Sequence, residues 1–176
     1  AVTSADTTAP TLSSSPVDNA TAVSVNANIV LNFDESVDVE TGNITIKKTS
    51  DNSTIETIDV TGSKVTGSGS TQITVNPAAT LDSSTEYYVL IDASAFDDSS
   101  SNSYAGISST TALSFTTADV QNPTLSSSTP SDNATAVALD ANIVLNFDES
   151  VDTESSGFIY LKKTSDNSTV ESFSVT

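Results

Sequence analysis

The sequence predicts an all-β protein, a run of tandem antiparallel sandwiches, and three observations lead to that class. Apolar residues fall in short stretches of alternating parity, the period of a strand with one buried face. Clusters of Ser, Asp, Asn and Gly separate these stretches, and no segment carries a 3.6-residue apolar stripe. The chain also repeats itself at a spacing of about 114 residues, which suits one sandwich domain per repeat.

Thr11 to Ser15 opens the first copy, and Val23, Val25, Ala27, Ile29, Leu31 and Phe33 share one parity along the next stretch. Ile44 and Ile46 continue on a third strand, after which Ser50 to Ser53 (SDNS) turns the chain into Thr54 to Val60. Ile73 with Val75 marks another strand, Tyr87, Val89 and Ile91 the next, and Leu113 with Phe115 the last. The shared parity places Leu31, Phe33, Val89 and Phe115 in one core. Seven or eight short strands in about 110 residues read as a Greek-key, immunoglobulin-like sandwich.

Residues 10 to 61 begin PTLSSSPVDNATAV and continue NANIVLNFDESVD, while residues 123 to 176 begin PTLSSSTPSDNATAV and continue DANIVLNFDESVD. Both copies then reach KKTSDNST, at Lys47 to Thr54 and Lys162 to Thr169. Thr116 to Pro123 (TTADVQNP) matches the opening TSADTTAP, so the boundary falls there. The expected organisation is a linker over 1–9, a complete domain over 10–118, and over 119–176 the first half of a second, near-identical domain. That half lacks counterparts of Ile73 to Phe115, so Leu145, Phe147, Ile159 and Phe173 should lie on an open apolar face. The expectation is a segment of a longer array whose next piece completes the domain, with strands donated by a second chain as the alternative.

Composition removes whole classes of function. There are 23 Asp and Glu against 5 Lys and Arg, with no His, Cys, Met or Trp, for a net charge of −18. Without His or Cys, neither the usual zinc, haem and iron–sulfur sites nor a Ser-His or Cys-His nucleophile can be assembled. So few cations cannot offset a phosphate backbone, which excludes nucleic acid as a partner. No apolar run reaches the length of a membrane span. Strong acidity favours partners that are cations.

PTLSSSPVDNATAV, NIVLNFDESVD, LDSSTEYYVLID and AFDDSSSNSYAGI followed by LSFTT together resemble the bacterial Ig-like domains of S-layer proteins and giant surface adhesins. The resemblance spans the first copy and the first half of the second. Leu81 and Tyr87, with Thr85 between them, also resemble the fibronectin type III pattern. This implies a tyrosine corner, in which the hydroxyl bonds nearby backbone. In the family the following loop commonly reads D-x-x-G-N; here Asp98 is followed by SSSN, without the glycine. The resemblance implies a secreted or cell-surface spacer, adhesin, filament or lattice role and no enzymatic activity.

The acidic residues are the candidate site. The connections after Phe33 and after Ile91 share one end of such a sandwich with the incoming chain. Asp34, Glu35, Asp38, Asp97, Asp98 and the linker residue Asp6 would then converge, with Asp119, Asp148, Glu149 and Asp152 repeating the pattern. A calcium ion at the junction, taking 6 to 8 oxygens, would relieve their repulsion. The plainer reading is a solvated acidic surface with Asp as a turn former. A glycosidase pair is excluded by placement in surface loops with few aromatics to bind a sugar. Lys48, on the parity of Ile44 and Ile46, reads as a snorkelling strand-end lysine rather than a crosslink partner. The sequons at Asn19, Asn43, Asn52, Asn133 and Asn167 are of a kind that arises by chance in a Ser/Thr-rich chain. The sequence therefore predicts an extracellular structural repeat whose partners are neighbouring repeats or identical chains. The alternative is a non-catalytic accessory module that attaches a secreted enzyme to polysaccharide, which an exposed aromatic row would favour, and the sequence shows none.

Overall fold

The computed structural model describes residues 5–153 and 155–175, and none of these is helical. The chain divides into two units, Ala1–Val120 and Gln121–Thr176.

Ten strands build the first unit: β1 (Leu12–Ser15), β2 (Ala20–Val23), β3 (Ile29–Val39), β4 (Asn43–Lys48), β5 (Thr54–Asp59), β6 (Val65–Thr66), β7 (Ser70–Val75), β8 (Glu86–Ile91), β9 (Phe96–Asp98) and β10 (Ser114–Thr117). One sheet runs β1-β3-β7-β6, with β9 added against the far end of β3; the other runs β2-β10-β8-β4-β5. Pairing is antiparallel except between β2 and β10. Facing side chains close the core. Leu31, Ile73, Ile44, Ile46 and Val89 are fully buried, and Phe33 and Phe115 nearly so. Phe33 packs against Phe96 and, edge-on, against Tyr104 at centroid distances of 5.4 and 5.3 Å.

Three details depart from the sequence reading. The apolar series from Val23 to Phe33 belongs to two strands in different sheets, because β2 ends at Val23 and β3 begins at Ile29. A turn in which Ala27 donates to the Ser24 carbonyl makes that crossing. The region after Phe33 is no loop: β3 continues to Val39, carrying Asp34, Glu35 and Asp38 along a paired strand. Asp97 and Asp98 likewise belong to β9, paired with Asp38 and Val37.

The second unit contains β11 (Leu125–Thr129), β12 (Val144–Phe147), β13 (Phe158–Lys162) and β14 (Thr169–Ser174), forming two two-stranded sheets. Leu125 opposite Phe147 repeats Leu12 opposite Phe33, and Ile159 opposite Phe173 repeats Ile44 opposite Ile58. The turns repeat as well: Asn19 and Asn133 both have φ of 59°, and Ala22 and Ala136 both have 55°.

Candidate functional site

The acidic end of the first unit is built by β3 and β9. Glu35 keeps the parity of Leu31, Phe33 and Val37, so it lies on the core-facing side of β3 where the core gives out. Asp98 is opposite Val37 and is only 4% exposed. The incoming chain brings Asp6 to the same place, its carbonyl accepting from the Asn102 side-chain amide. One carboxylate oxygen each from Asp6, Glu35 and Asp98 lies within 4.8 Å of the others.

Hydrogen bonds assign most of these carboxylates to local work. Asp98 Oδ1 accepts the backbone N–H groups of Ser100 and Asn102, both at 2.8 Å, and its Oδ2 accepts the Asn102 amide at 2.8 Å. These bonds, those from Asn102 first, hold its carboxyl below the ordinary aspartate range. In the missing-glycine loop, Ser101 takes the left-handed conformation, with φ of 63°. The Asp98 clamp holds a non-glycine residue there despite the steric penalty.

Asp34 is directed to Thr11 instead, accepting its N–H and hydroxyl at 2.7 Å each, and these bonds lower its pKa. Asp148 does the same with Thr124 in the second unit. Asp119 accepts the Ser83 hydroxyl at 3.0 Å. Asp38 receives Ser68 at 3.4 Å, a weak contact. Asp97 is half-buried on β9, Glu149 is half-buried in the second unit, and Asp152 is exposed there.

Glu35 differs from the other acids. Desolvation, and then the charges of Asp98, Asp6 and Asp34, raise its pKa. The structure thus brings three of the anticipated acids together, Asp6, Glu35 and Asp98. The one oxygen that converges from each carboxylate falls short of the 6 to 8 that calcium takes, and second carboxylate oxygens, carbonyls or water would have to supply the rest.

At the other end, the Tyr87 hydroxyl accepts the Asp82 N–H at 2.9 Å, beside buried Leu81. Thr117 adds a hydroxyl to the Asp82 carbonyl at 2.6 Å. Lys48 reaches Asp82 at 3.0 Å from the half-exposed end of β4. Sequence reasoning missed Glu56, which accepts from the Lys64 ammonium and from the N–H groups of Ala78 and Ala79. Its only signal was an acid amid the Thr and Ile of β5, a strand that also ends on Asp59.

A family profile described as a bacterial Ig-like domain matches residues 6–117 and 119–176. A search of curated proteins gives no match. Among solved structures, that of the S-layer protein rSbsC(31-844) aligns over 92% of this chain and 22% of its own length, at 15% identity and a TM-score of 0.42. The chain thus spans about a fifth of that protein.

Proposed function

The chain belongs to the bacterial Ig-like domain family, and on that premise we propose that it is an extracellular structural repeat, a stiff spacer within a cell-surface assembly. One observation carries this reading. In the first unit the chain arrives beside Asn102, beyond the end of β8, and leaves beside Ser83, just before β8 begins. The two attachment points are therefore separated by the length of that strand, about 20 Å. A module entered at one end and left at the other transmits tension along its strands and adds length when repeated.

Two experiments test it. An antibody against the first unit should label intact cells as strongly as permeabilised ones; labelling only after permeabilisation would sink the surface assignment. A concatemer of residues 6–120 pulled at its ends should unfold in repeated steps, each releasing roughly 350 Å of contour. Smooth extension without steps would remove the load-bearing role.

A second reading, attachment to polysaccharide, has one observation in its favour. Phe158 and Tyr160 stand 57% and 56% exposed with ring centroids 5.9 Å apart. They occupy the places of Asn43 and Thr45 in the first copy. Retention of the chain on insoluble polysaccharide, lost in Tyr160→Ala, would favour this reading.

A further inference from the structure

A groove on the flank of the first unit lies apart from the acidic cluster and the tyrosine corner. One wall is β1, the edge strand of its sheet, which pairs with β3 alone. The Asp34 N–H donates to the Thr11 carbonyl at 3.1 Å, which sets the phase of that ladder. Ser13 and Ser15 therefore turn their backbone groups to β3, and Leu12 and Ser14 turn theirs outward. Edge strands are commonly guarded by charge or proline, yet β1 reads LSSS and has neither.

The facing wall is a break in the other sheet. Ile91 and Ile107 exchange backbone hydrogen bonds at 2.9 and 2.8 Å, and the ladder resumes at Ser114 opposite Tyr88. Ser114 lies seven residues after Ile107, while Tyr88 lies three before Ile91, so four residues are pushed out of the pairing. Such bulges end pairing and re-aim side chains beside functional sites. The groove between β1 and residues 104–113 measures about 560 Å³, with Asp18 and the 63% exposed Val17 along it. Tyr104 lines it too, although only 8% exposed. Tyr87 and Tyr88 commit their hydroxyls to the Asp82 N–H and the Asn52 side chain. The Tyr104 hydroxyl has no partner among the described residues. No fully buried side-chain oxygen there lacks one, so this hydroxyl opens on the groove. Burial raises its pKa, which keeps it a neutral donor.

We propose that this groove binds an extended peptide segment of a partner protein, added along β1 and carrying a basic residue for Asp18. Backbone N–H and C=O groups alternating at strand spacing are matched by another backbone, and not by a saccharide. The Tyr104 hydroxyl supplies a fixed polar contact, while Leu12, Val17, Ile107 and Ala112 supply apolar ones. A net charge of −18 repels acidic segments, and Asp18 gives a cation its place. The inference holds whether or not the module bears load.

The probe is a capped peptide of alternating Thr and Val with one Lys, titrated into the intact chain. Amide exchange at Leu12 and Ser14 should slow at least about tenfold at saturation, as for a strand edge gaining a partner. Tyr104→Phe keeps the ring against Phe33 and should weaken binding about fivefold. Glu in place of the peptide's Lys should also weaken it at low salt. Two further peptides, each N-methylated on one alternate set of amides, separate backbone pairing from apolar adsorption, and one of them should fail to bind. Equal binding by the parent and both methylated peptides overturns the proposal. So does unchanged exchange at Leu12 and Ser14 with millimolar peptide, or protection that appears only along β5, another sheet edge. Protection of Leu12 and Ser14 by cello-oligosaccharides and not by the peptide would make the groove a sugar site instead.

Discussion

At the scale of single residues, the carboxylates set two opposed pH dependences. Asp34, Asp98 and Asp148 have lowered pKa values, so the stability they add is present above the unfolded-state aspartate range and is lost as pH falls through their folded values. Glu35 has a raised value, so its effect runs the other way. Stability is greatest while it is protonated and declines as pH rises through its folded pKa. Glu35→Gln should therefore raise the melting temperature at neutral pH and low salt, and the gap should close below about pH 4. Calcium should narrow the same gap more than sodium at matched ionic strength, since an ion in contact relieves repulsion that a diffuse atmosphere only screens. Equal narrowing by both salts would leave only a solvated acidic surface. Ser101→Gly removes a left-handed side chain without touching the Asp98 clamp. It should stabilise the first unit by about 1 kcal/mol in chemical denaturation.

At the scale of elements, the corner and the crossover loops fix how strands meet. Tyr87→Phe leaves the ring in the core and removes only the bond to the Asp82 N–H. A loss of about 1–2 kcal/mol is expected, and a change below the error of the melt would show that water replaces the hydroxyl. Gly106 has φ of 73°, and a Cβ there would stand 2.5 Å from the Ile91 carbonyl oxygen. Ile91 and Ile107 form a bridge at this approach. Gly106→Ala should cost about 1–3 kcal/mol, read as a lowered denaturation midpoint. Parity alone located the interiors of β3, β4, β7 and β8, because a half-buried strand imprints its period on the residues. It did not locate β9, where two acids follow Phe96. The pattern gives no hint that Asp98 turns inward to organise a loop. Nor could it separate β2 from β3, since a parity series carries no mark of a change of sheet.

On the scale of the whole molecule, the repeat was legible as duplicated text, and the structure shows that the two copies differ in burial. The second unit has the local turns and hairpin registers of the first, but its inward side chains remain half in water. Amide exchange should therefore separate the two. Amides of β3, β4 and β8 should exchange only through cooperative unfolding of the first unit, while those of β11 to β14 exchange orders of magnitude faster. Comparable protection in both would mean that the second unit closes a core of its own. The convergence of Asp6, Glu35 and Asp98 was legible only in part. Charge and topology pointed to the right end, but Thr11 claims Asp34, and such a local competitor is invisible before the backbone is placed.

The antiparallel ladder between β3 and β7 and the parallel one between β2 and β10 have a consequence for how the chain finds its fold. Both require the middle of the sequence to dock onto its beginning, yet a near-duplicate of that beginning lies downstream. Residues 62–117 thus have two claimants during refolding, one already emerged from synthesis and one still to come. Translation order favours the upstream claimant. Dilution from denaturant erases that advantage and leaves the two to race. Refolding from urea should show a slow minor phase in which the wrong half is captured and must let go. The phase should disappear when Leu145 and Phe147 are both replaced by Ser, and a chain that refolds in one phase with both copies intact would show that the race is never run.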